Sequence, residues 1–266
     1  MEILDQPAPA EAQYNFDQKV SKLLADGYNF SLGDYISAGH RILMSKLGSY
    51  IGFLFLFFVI SIIFGIIPFF GSAINFIIES PLIMGFAIVS RKIFYNKSQQ
   101  FNNFFDGFKF LGPLVAIRLI ILVVAIIVFV PYILIVMGPQ IFQMIESAAT
   151  GDNSMLDESL IMSRIIWVIP LAIIALLGQA LLIWAPYIAV FGRKGPLESI
   201  TTSIKLIWKR YLQFVLFLIV LFFINVGGAI LLVVGLLYTV PLTFCSIYAA
   251  YEMIVGTNPN DELLDR

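Results

Sequence analysis

Long apolar runs dominate the pattern of hydrophobic and polar positions along the chain. In the run from 47 to 90 the only charged residue is Glu79, and the run from 211 to 251 contains no charge. Each run is about twice the ~20 residues that cross a bilayer as one helix. Pro68 and Gly71 supply turn residues near the middle of the first run. We therefore expect each run to fold into a tight helical hairpin.

Two further apolar runs, at 111–138 and 165–191, lie between these hairpins. The chain is therefore predicted to be an all-α membrane protein whose six transmembrane helices form three proline-containing hairpins, each preceded by a short amphipathic interfacial helix. The membrane domain is expected to cover 31–256, between a polar N-terminal segment without fixed structure (1–30) and a short tail (257–266). The six spans are predicted at about 49–68, 72–90, 111–138, 165–191, 211–232 and 236–255.

The composition agrees with a membrane protein and excludes several other classes. The chain is 60% hydrophobic and 12% charged, whereas soluble domains average roughly 45–50% apolar and about 25% charged. A formal net charge of -1 argues against a large basic surface for nucleic acid. The chain has one cysteine, Cys245, and one histidine, His40. An intrachain disulfide and a metal site built on several imidazoles are therefore excluded.

Lysine and arginine are distributed unevenly around the predicted spans. They collect before the first span and in the loops at 91–110 and 192–210. The loop at 139–164 has Arg164 alone, against four acidic residues. Because loops on the cytoplasmic side carry the excess of Lys and Arg, both termini are predicted to be cytoplasmic.

Three stretches of the chain can be aligned with one another. "GDYISAGHRILMSKLGSYIGF" (33–53) aligns without a gap with "LESITTSIKLIWKRYLQFVLF" (197–217), and "FNNFFDGFKFLGPLVAI" (101–117) fits the same frame with Lys109 under Arg41. This periodicity predicts an internal repeat of amphipathic helix, span and proline-bearing span. Such repeats occur in transporters with broken helices, and duplication of a stable hairpin is the alternative. The predicted helix-break prolines are Pro81, Pro186 and Pro241.

The amphipathic stretches are predicted to be helices at the cytoplasmic interface, over 33–46, 98–109 and 197–209. Helices of this kind lie in the headgroup plane, where each basic residue favours anionic lipid by about 1 kcal/mol. Packing under the helical bundle is the alternative explanation of the same pattern. The basic residues predicted to be interfacial are Arg41, Lys46, Lys109, Lys205, Lys209 and Arg210.

Glu79 is a candidate for an intramembrane polar site. Ser72, Asn75 and Glu79 are spaced i, i+3 and i+7, so they share one helical face. A lipid-facing acid at this depth costs on the order of 2.5–3.5 kcal/mol. The other charge well inside a predicted span is Arg118. We expect a Glu79–Arg118 interaction that ties the second span to the third. The alternative is that Arg118 snorkels to the headgroups and Glu79 forms local hydrogen bonds.

Motifs that carry known chemistry are missing from the sequence. It contains no GxxxxGK[ST], HExxH, CxxC or GxSxG pattern, so we predict neither catalytic residues nor a cofactor nor a metal site. Gln179 and Asn225 are single polar residues in predicted spans. They are best explained as hydrogen-bonding residues between helices.

Five stretches of the chain form a recognisable series. They are "DGYNFSLGDYISAGHRILMSKLGSYIGF", "PLIMGF", "FNNFFDGFKFLGP", "ESITTSIKLIWKRYLQF" and a hairpin ending in "AAYEMIVG". The series resembles the YciC-like uncharacterised bacterial multi-pass membrane families. A similar membrane domain precedes the catalytic domain of some glycerophosphodiester phosphodiesterases. The resemblance covers roughly 26–256 and implies a six-span protein of the bacterial cytoplasmic membrane. It carries over no catalytic residues, because these families have no agreed activity. The phosphodiesterase domain is absent from this sequence, so the resemblance does not imply that activity.

Some chains that resemble this one carry the label β-carotene monooxygenase. That chemistry needs a four-histidine iron site in a β-propeller, and this chain has one histidine. We therefore expect a non-enzymatic membrane-embedded binding or assembly module, with membrane lipid or another membrane protein as its partner. The alternative is a small permease or channel with a pathway between the repeats near Glu79. A water-accessible cavity that reaches Glu79 would favour transport, and a closed bundle would favour the module.

Overall fold

The structure is a computed structural model that describes residues 15–67, 70–150, 168–231 and 234–261. Within these ranges all regular secondary structure is helical, which confirms the predicted all-α class. The elements are α1 (Phe16–Asp26), α2 (Leu32–Ser45), α3 (Leu47–Ile66), α4 (Phe70–Phe94), a 3₁₀ helix (Phe101–Phe110), α5 (Leu111–Thr150), α6 (Val168–Leu182), α7 (Ala185–Phe191), α8 (Pro196–Trp208), α9 (Tyr211–Ile230) and α10 (Leu236–Ile254).

Five helical segments of the described chain are long and apolar enough to cross a membrane, and they correspond to the first five predicted spans. The sixth predicted span forms α10, which is not among these five. Most residues of α10 from Thr239 to Ile254 are buried inside the protein. A helix enclosed by other helices does not need the hydropathy of one that faces lipid. The five segments are Leu47–Ile66, Phe70–Phe94, Phe101–Val136, Ile169–Phe191 and Tyr211–Ile230.

The expectation that 1–30 lacks fixed structure is wrong for the part that forms α1. The Asn15 side chain caps this helix by accepting a hydrogen bond from the Gln18 backbone N–H at 3.2 Å. Phe16 and Val20 are spaced by four, so they share one face, and both are buried. Residues 1–14 lie outside the described part of the chain.

Helix α5 is longer than the span predicted at 111–138. It contains 40 residues and passes through Pro131 and Pro139. At a rise of 1.5 Å per residue its length is roughly 60 Å, about twice the ~30 Å hydrocarbon core. The prediction of a loop is therefore wrong for 139–150, and the rest of that loop lies outside the described residues.

Helix breaks were predicted at three prolines, and the structure has a break at one of them. The span at 165–191 is divided at Ile183–Trp184 into α6 and α7, and Pro186 lies in the first turn of α7, where its missing N–H costs nothing. Pro81 and Pro241 lie inside the continuous helices α4 and α10. The prediction of a break at these two positions is wrong, because the fixed φ of proline is itself helical and neighbouring helices satisfy the freed backbone groups.

The core lies where α4, α7 and α10 face one another, and aromatic rings fill it. The rings of Phe86 and Phe244 stack with centroids 4.7 Å apart, and those of Tyr187 and Tyr251 lie 5.3 Å apart. By contrast, α3, α5 and α9 expose many large apolar side chains, as expected of helices that face lipid. These include Phe55, Ile62, Val123, Val124, Ile127, Leu212 and Phe222.

Each amphipathic segment packs most extensively against helices that do not directly follow it in the chain. The 3₁₀ helix packs on α4, and α8 packs on α7 and α6. The Ser203 hydroxyl of α8 donates to the Leu181 carbonyl of α6 at 2.6 Å. The first amphipathic helix, α2, packs on α10, at the other end of the chain. The contacts therefore run cyclically: the second and third segments pack on helices that precede them, and the first segment packs on the last helix.

Small residues make the closest of these approaches, and they occupy one position of the sequence alignment. A Cβ atom added to Gly39 would overlap Ser246 of α10, and one added to Gly107 would overlap the carbonyl oxygen of Pro81 in α4. With Lys109 aligned under Arg41, the residue aligned with these two glycines is Ser203. Only a glycine lets another backbone come this close at Gly39 and Gly107.

The segment predicted as an interfacial α-helix over 98–109 differs most from its prediction. It is a 3₁₀ helix, in which residues three apart eclipse one another. Phe104, Gly107 and Phe110 are therefore aligned in one buried row, and Phe101, which begins that row, is 44% exposed. The apolar side of this segment packs on the bundle. The other two predicted segments are the α-helices α2 and α8, and their buried residues also pack inside the protein.

Candidate functional site

The structure brings Glu79 of α4 and Arg118 of α5 together. One guanidinium nitrogen, Nη2, lies 2.6 Å from Glu79 Oε2, and Nη1 donates to the Phe76 carbonyl at 2.9 Å. The guanidinium also lies over the Phe76 ring, 5.1 Å from its centroid. The contact expected from the sequence is present. The Arg118 guanidinium therefore makes an ion pair, a charge-assisted hydrogen bond and a cation–π contact.

Asn75, the third residue of the predicted intramembrane polar site, has a different partner. Its amide donates to the Ser61 carbonyl of α3 at 3.1 Å. Asn75 therefore links α3 to α4 inside the first hairpin, and Ser72 is exposed. Ser72, Asn75 and Glu79, which were predicted to share one helical face, therefore do not form one cluster: Asn75 bonds to Ser61 and Glu79 to Arg118.

A cavity of about 630 Å³ lies beside Arg118. Its walls come from α4, α5, α6, α7, α9 and α10. Among the described residues that line it, the polar side chains are Ser80, Arg118, Gln179 and Tyr187, and Glu79 is not one of the lining residues. The remaining wall is apolar, including Ile121, Ala125, Ile183 and Phe244. A mainly apolar pocket with a few convergent polar groups is the usual form of a small-ligand site.

The residues predicted to be interfacial and basic are all exposed. Several also make local contacts. Lys109 forms an ion pair with Asp106 at 2.9 Å, and Arg210 Nε donates to the Tyr28 carbonyl at 3.0 Å. Arg41 donates to the Ser37 hydroxyl at 3.1 Å. All six are therefore accessible to a membrane surface: Arg41, Lys46, Lys109, Lys205, Lys209 and Arg210.

A second polar cluster, the Glu252 cluster, consists of Tyr95, Tyr248, Glu252 and Thr257 at the ends of α4 and α10. Glu252 is 6% exposed. Its Oε1 accepts hydrogen bonds from the Tyr95 hydroxyl at 2.5 Å and the Thr257 N–H at 3.0 Å, and its Oε2 accepts one from the Tyr248 hydroxyl at 2.7 Å. Gly256 has φ 77°, a left-handed conformation that glycine adopts readily and that ends α10 next to this carboxylate.

Burial raises the pKa of Tyr95 from its ordinary value of 10.0 to about 12, and its hydrogen bond to Glu252 acts in the same direction. The neutral phenol is therefore the form that holds Glu252. Nearby, Arg91 donates to the Asn258 carbonyl, and Nη2 of Arg193 lies 2.7 and 2.9 Å from the two carboxylate oxygens of Asp261. The Glu252 cluster and these contacts hold the segment after α10 across the ends of α4 and α7.

Sequence reasoning missed the Glu252 cluster. Glu252 directly follows the uncharged run that ends at Tyr251 and lies near the end of the sixth predicted span (236–255), so it is not counted among the charges well inside a span. Arg91 and Lys92 likewise count as loop charges, but they are 0% and 2% exposed. One signal was present, because Tyr248 and Glu252 are four residues apart and face the same side of a helix.

Among the residues that the structure describes, no three His, Cys, Asp or Glu side chains come together as a metal site would need. Comparison with known proteins gives no relative, since no family model, no curated protein and no solved structure matches the chain.

Proposed function

We propose that the protein is a non-enzymatic, membrane-embedded module that binds a membrane lipid in the cavity beside Arg118. The observation that carries this proposal is the cavity itself, about 630 Å³ in size and lined mainly by apolar side chains of membrane-type helices. Ligand pockets in proteins have volumes of about 300–1,000 Å³. Two walls of the cavity, α5 and α6, also expose apolar side chains to the surroundings, so a lipid has a direct route from the bilayer.

The proposal includes six spans, built as three related hairpins. The cyclic packing of the amphipathic segments supports it, because three aligned small residues, Gly39, Gly107 and Ser203, each contact a proline-bearing helix of another proposed hairpin. Contacts that recur at an aligned position are expected of repeated units. α10 is the sixth span in this proposal.

We further propose a bacterial cytoplasmic membrane and cytoplasmic termini, as the Lys and Arg distribution and the resemblance to YciC-like proteins predict. In that orientation the exposed basic residues lie on the cytoplasmic side. Anionic lipids there, or another membrane protein, are the partners predicted for this surface.

The alternative function is a small permease or channel with a pathway near Glu79. That function predicts a water-accessible cavity reaching the Glu79 carboxylate. The Glu79 carboxylate contacts Arg118 but does not itself line the cavity, and aromatic pairs such as Phe86–Phe244 fill the space between α4 and α10. Both observations favour the binding module.

Native mass spectrometry of protein released from its own membranes tests the proposal. The wild-type protein is expected to retain a lipid. The variant Ala125→Phe, which places a ring in the cavity, is expected to lose most of it. Val124→Phe is the matched control, since Val124 directly precedes Ala125, is 55% exposed and does not line the cavity. Equal lipid retention by all three proteins would contradict the proposal.

A further inference from the structure

The charge of the cavity wall identifies the kind of lipid that the cavity takes. Of the described residues that line it, Arg118 is the one with a formal charge at neutral pH. Its side chain is 27% exposed, and that of Glu79 is 41% exposed. The state of this single guanidinium therefore determines the electrostatic preference of the cavity.

Arg118 is already neutralised by groups of the protein. It forms the 2.6 Å ion pair with Glu79, and its other terminal nitrogen donates to the Phe76 carbonyl at 2.9 Å. The Phe76 ring covers one face of the guanidinium, at 5.1 Å. The pair carries no net charge. A guanidinium has five N–H donors, so hydrogen-bonding capacity remains for a ligand.

An anionic head group would be unfavourable here. It would lose its hydration on entering the apolar cavity, and no uncompensated positive charge would repay that loss. It would also lie near the Glu79 carboxylate, which repels it. A hydroxyl or ester carbonyl has a much smaller desolvation cost, and Arg118, Gln179 and Ser80 can satisfy it.

We propose that the cavity selects an uncharged long-chain lipid whose small head carries hydroxyl or carbonyl oxygens, of the chemical class of a diacylglycerol. Its head hydrogen-bonds to Arg118 and Gln179, and its chains lie along Ile121, Ala125 and Ile183. This inference rests on the proposed function, because it assumes that the cavity binds lipid. Glu79 is the positioning residue of the site, and it acts by neutralising Arg118.

Two probes with identical chains test the selectivity. Dioleoylglycerol and dioleoyl phosphatidic acid differ by one phosphate group. Each is added to the full-length protein in nanodiscs of a zwitterionic lipid, and binding is measured by native mass spectrometry. The wild type is expected to bind dioleoylglycerol about tenfold more tightly or better, given the cost of an uncompensated charge in the membrane. Ala125→Phe should lose dioleoylglycerol binding, and Val124→Phe should keep it.

The variant Glu79→Gln tests the role of the ion pair. It leaves Arg118 with an uncompensated positive charge, so the preference should shift at least about tenfold toward phosphatidic acid. Equal or tighter wild-type binding of phosphatidic acid, with loss in Ala125→Phe, would overturn the selectivity but leave the lipid-binding function standing. An unchanged preference in folded Glu79→Gln would overturn the role of Glu79. Binding of neither probe at the cavity would overturn the proposed function itself.

Discussion

Arg118 and Glu79 are 39 residues apart in the chain and 2.6 Å apart in the structure. Their contact fastens α5 to α4, and with the hydrogen bond to Phe76 it leaves the guanidinium with three kinds of partner. A lone arginine in a membrane helix is costly. The ion pair therefore explains why both charges are present in otherwise apolar helices.

Removing the carboxylate is expected to destabilise the protein. Glu79→Gln leaves Arg118 without its counter-charge, at a cost of roughly 2–3 kcal/mol, below the figure for a fully buried pair because both side chains are partly exposed. Asn75→Ala, which removes one hydrogen bond to Ser61, should cost about 1 kcal/mol. The free energy of unfolding in detergent micelles measures both.

The double variant Glu79→Gln with Arg118→Gln separates pairing from packing. It should recover part of the loss of Glu79→Gln, since the uncompensated arginine is then absent. The single variant Arg118→Gln gives the comparison. If the losses in unfolding free energy of the two single variants add up to the loss in the double variant, the two residues act independently and the ion pair contributes no interaction energy.

Gly107→Ala is expected to destabilise the protein by about 1–3 kcal/mol, because the new methyl group would overlap the Pro81 carbonyl of α4 and force the 3₁₀ helix away. Gly112→Ala is the control, since a Cβ at Gly112 meets nothing within 4 Å and alanine favours a helix by up to about 1 kcal/mol. The thermal unfolding midpoints of the two variants should shift in opposite directions or differ clearly from each other. Equal midpoints would show that the close approach at Gly107 is not required.

Ionisation of Tyr95 is expected to weaken the fold at high pH. Its pKa is raised from 10.0 to about 12 in the folded protein, so its contribution is complete below pH 10 and is lost as the pH rises toward 12. Tyr95→Phe cannot ionise and should therefore lose less stability than the wild type over this range. The difference between the tyrosinate absorbance titrations of the two proteins should show a midpoint near 12. A midpoint at 10 would mean that the phenol is neither buried nor hydrogen-bonded to Glu252.

The orientation is tested by cysteine labelling of intact cells. The native Cys245 is buried, so it should not react. A cysteine at Ala148, exposed near the end of α5, should be labelled from outside, and one at Ser98, exposed after α4, should not. The distribution of Lys and Arg predicts this result, and the reverse labelling pattern would invert the topology.

Hydrophobic length predicted the helical class and the first five spans well, because the requirement for ~20 apolar residues is set by the bilayer. The Glu79–Arg118 contact was also predictable, since two charges in apolar helices have few other partners. Asn225 was expected to bond between helices, and its amide donates to Thr243 of α10 at 2.7 Å. These features depend on local spacing or on a strong energetic penalty.

Other features depend on tertiary contacts that no local pattern contains. The row of Phe104, Gly107 and Phe110 is continuous only in a 3₁₀ helix, and the spacing of Phe101, Phe104, Phe105 and Phe108 equally fits an α-helix. Glu252 is buried because Tyr95 and the segment after α10 fold over it. The cavity arises from six helices at once, so its position could not be derived from any one of them.

The most direct test of lipid binding is to locate the lipid. Crystals grown with a diacylglycerol brominated in its acyl chains report bromine positions by anomalous scattering. The account predicts a bromine peak inside the cavity, between Ala125 and Ile183, and its loss in Ala125→Phe. Bromine peaks confined to the outer surfaces of α3, α5 and α9, with the cavity free of bromine in the wild type, would contradict it.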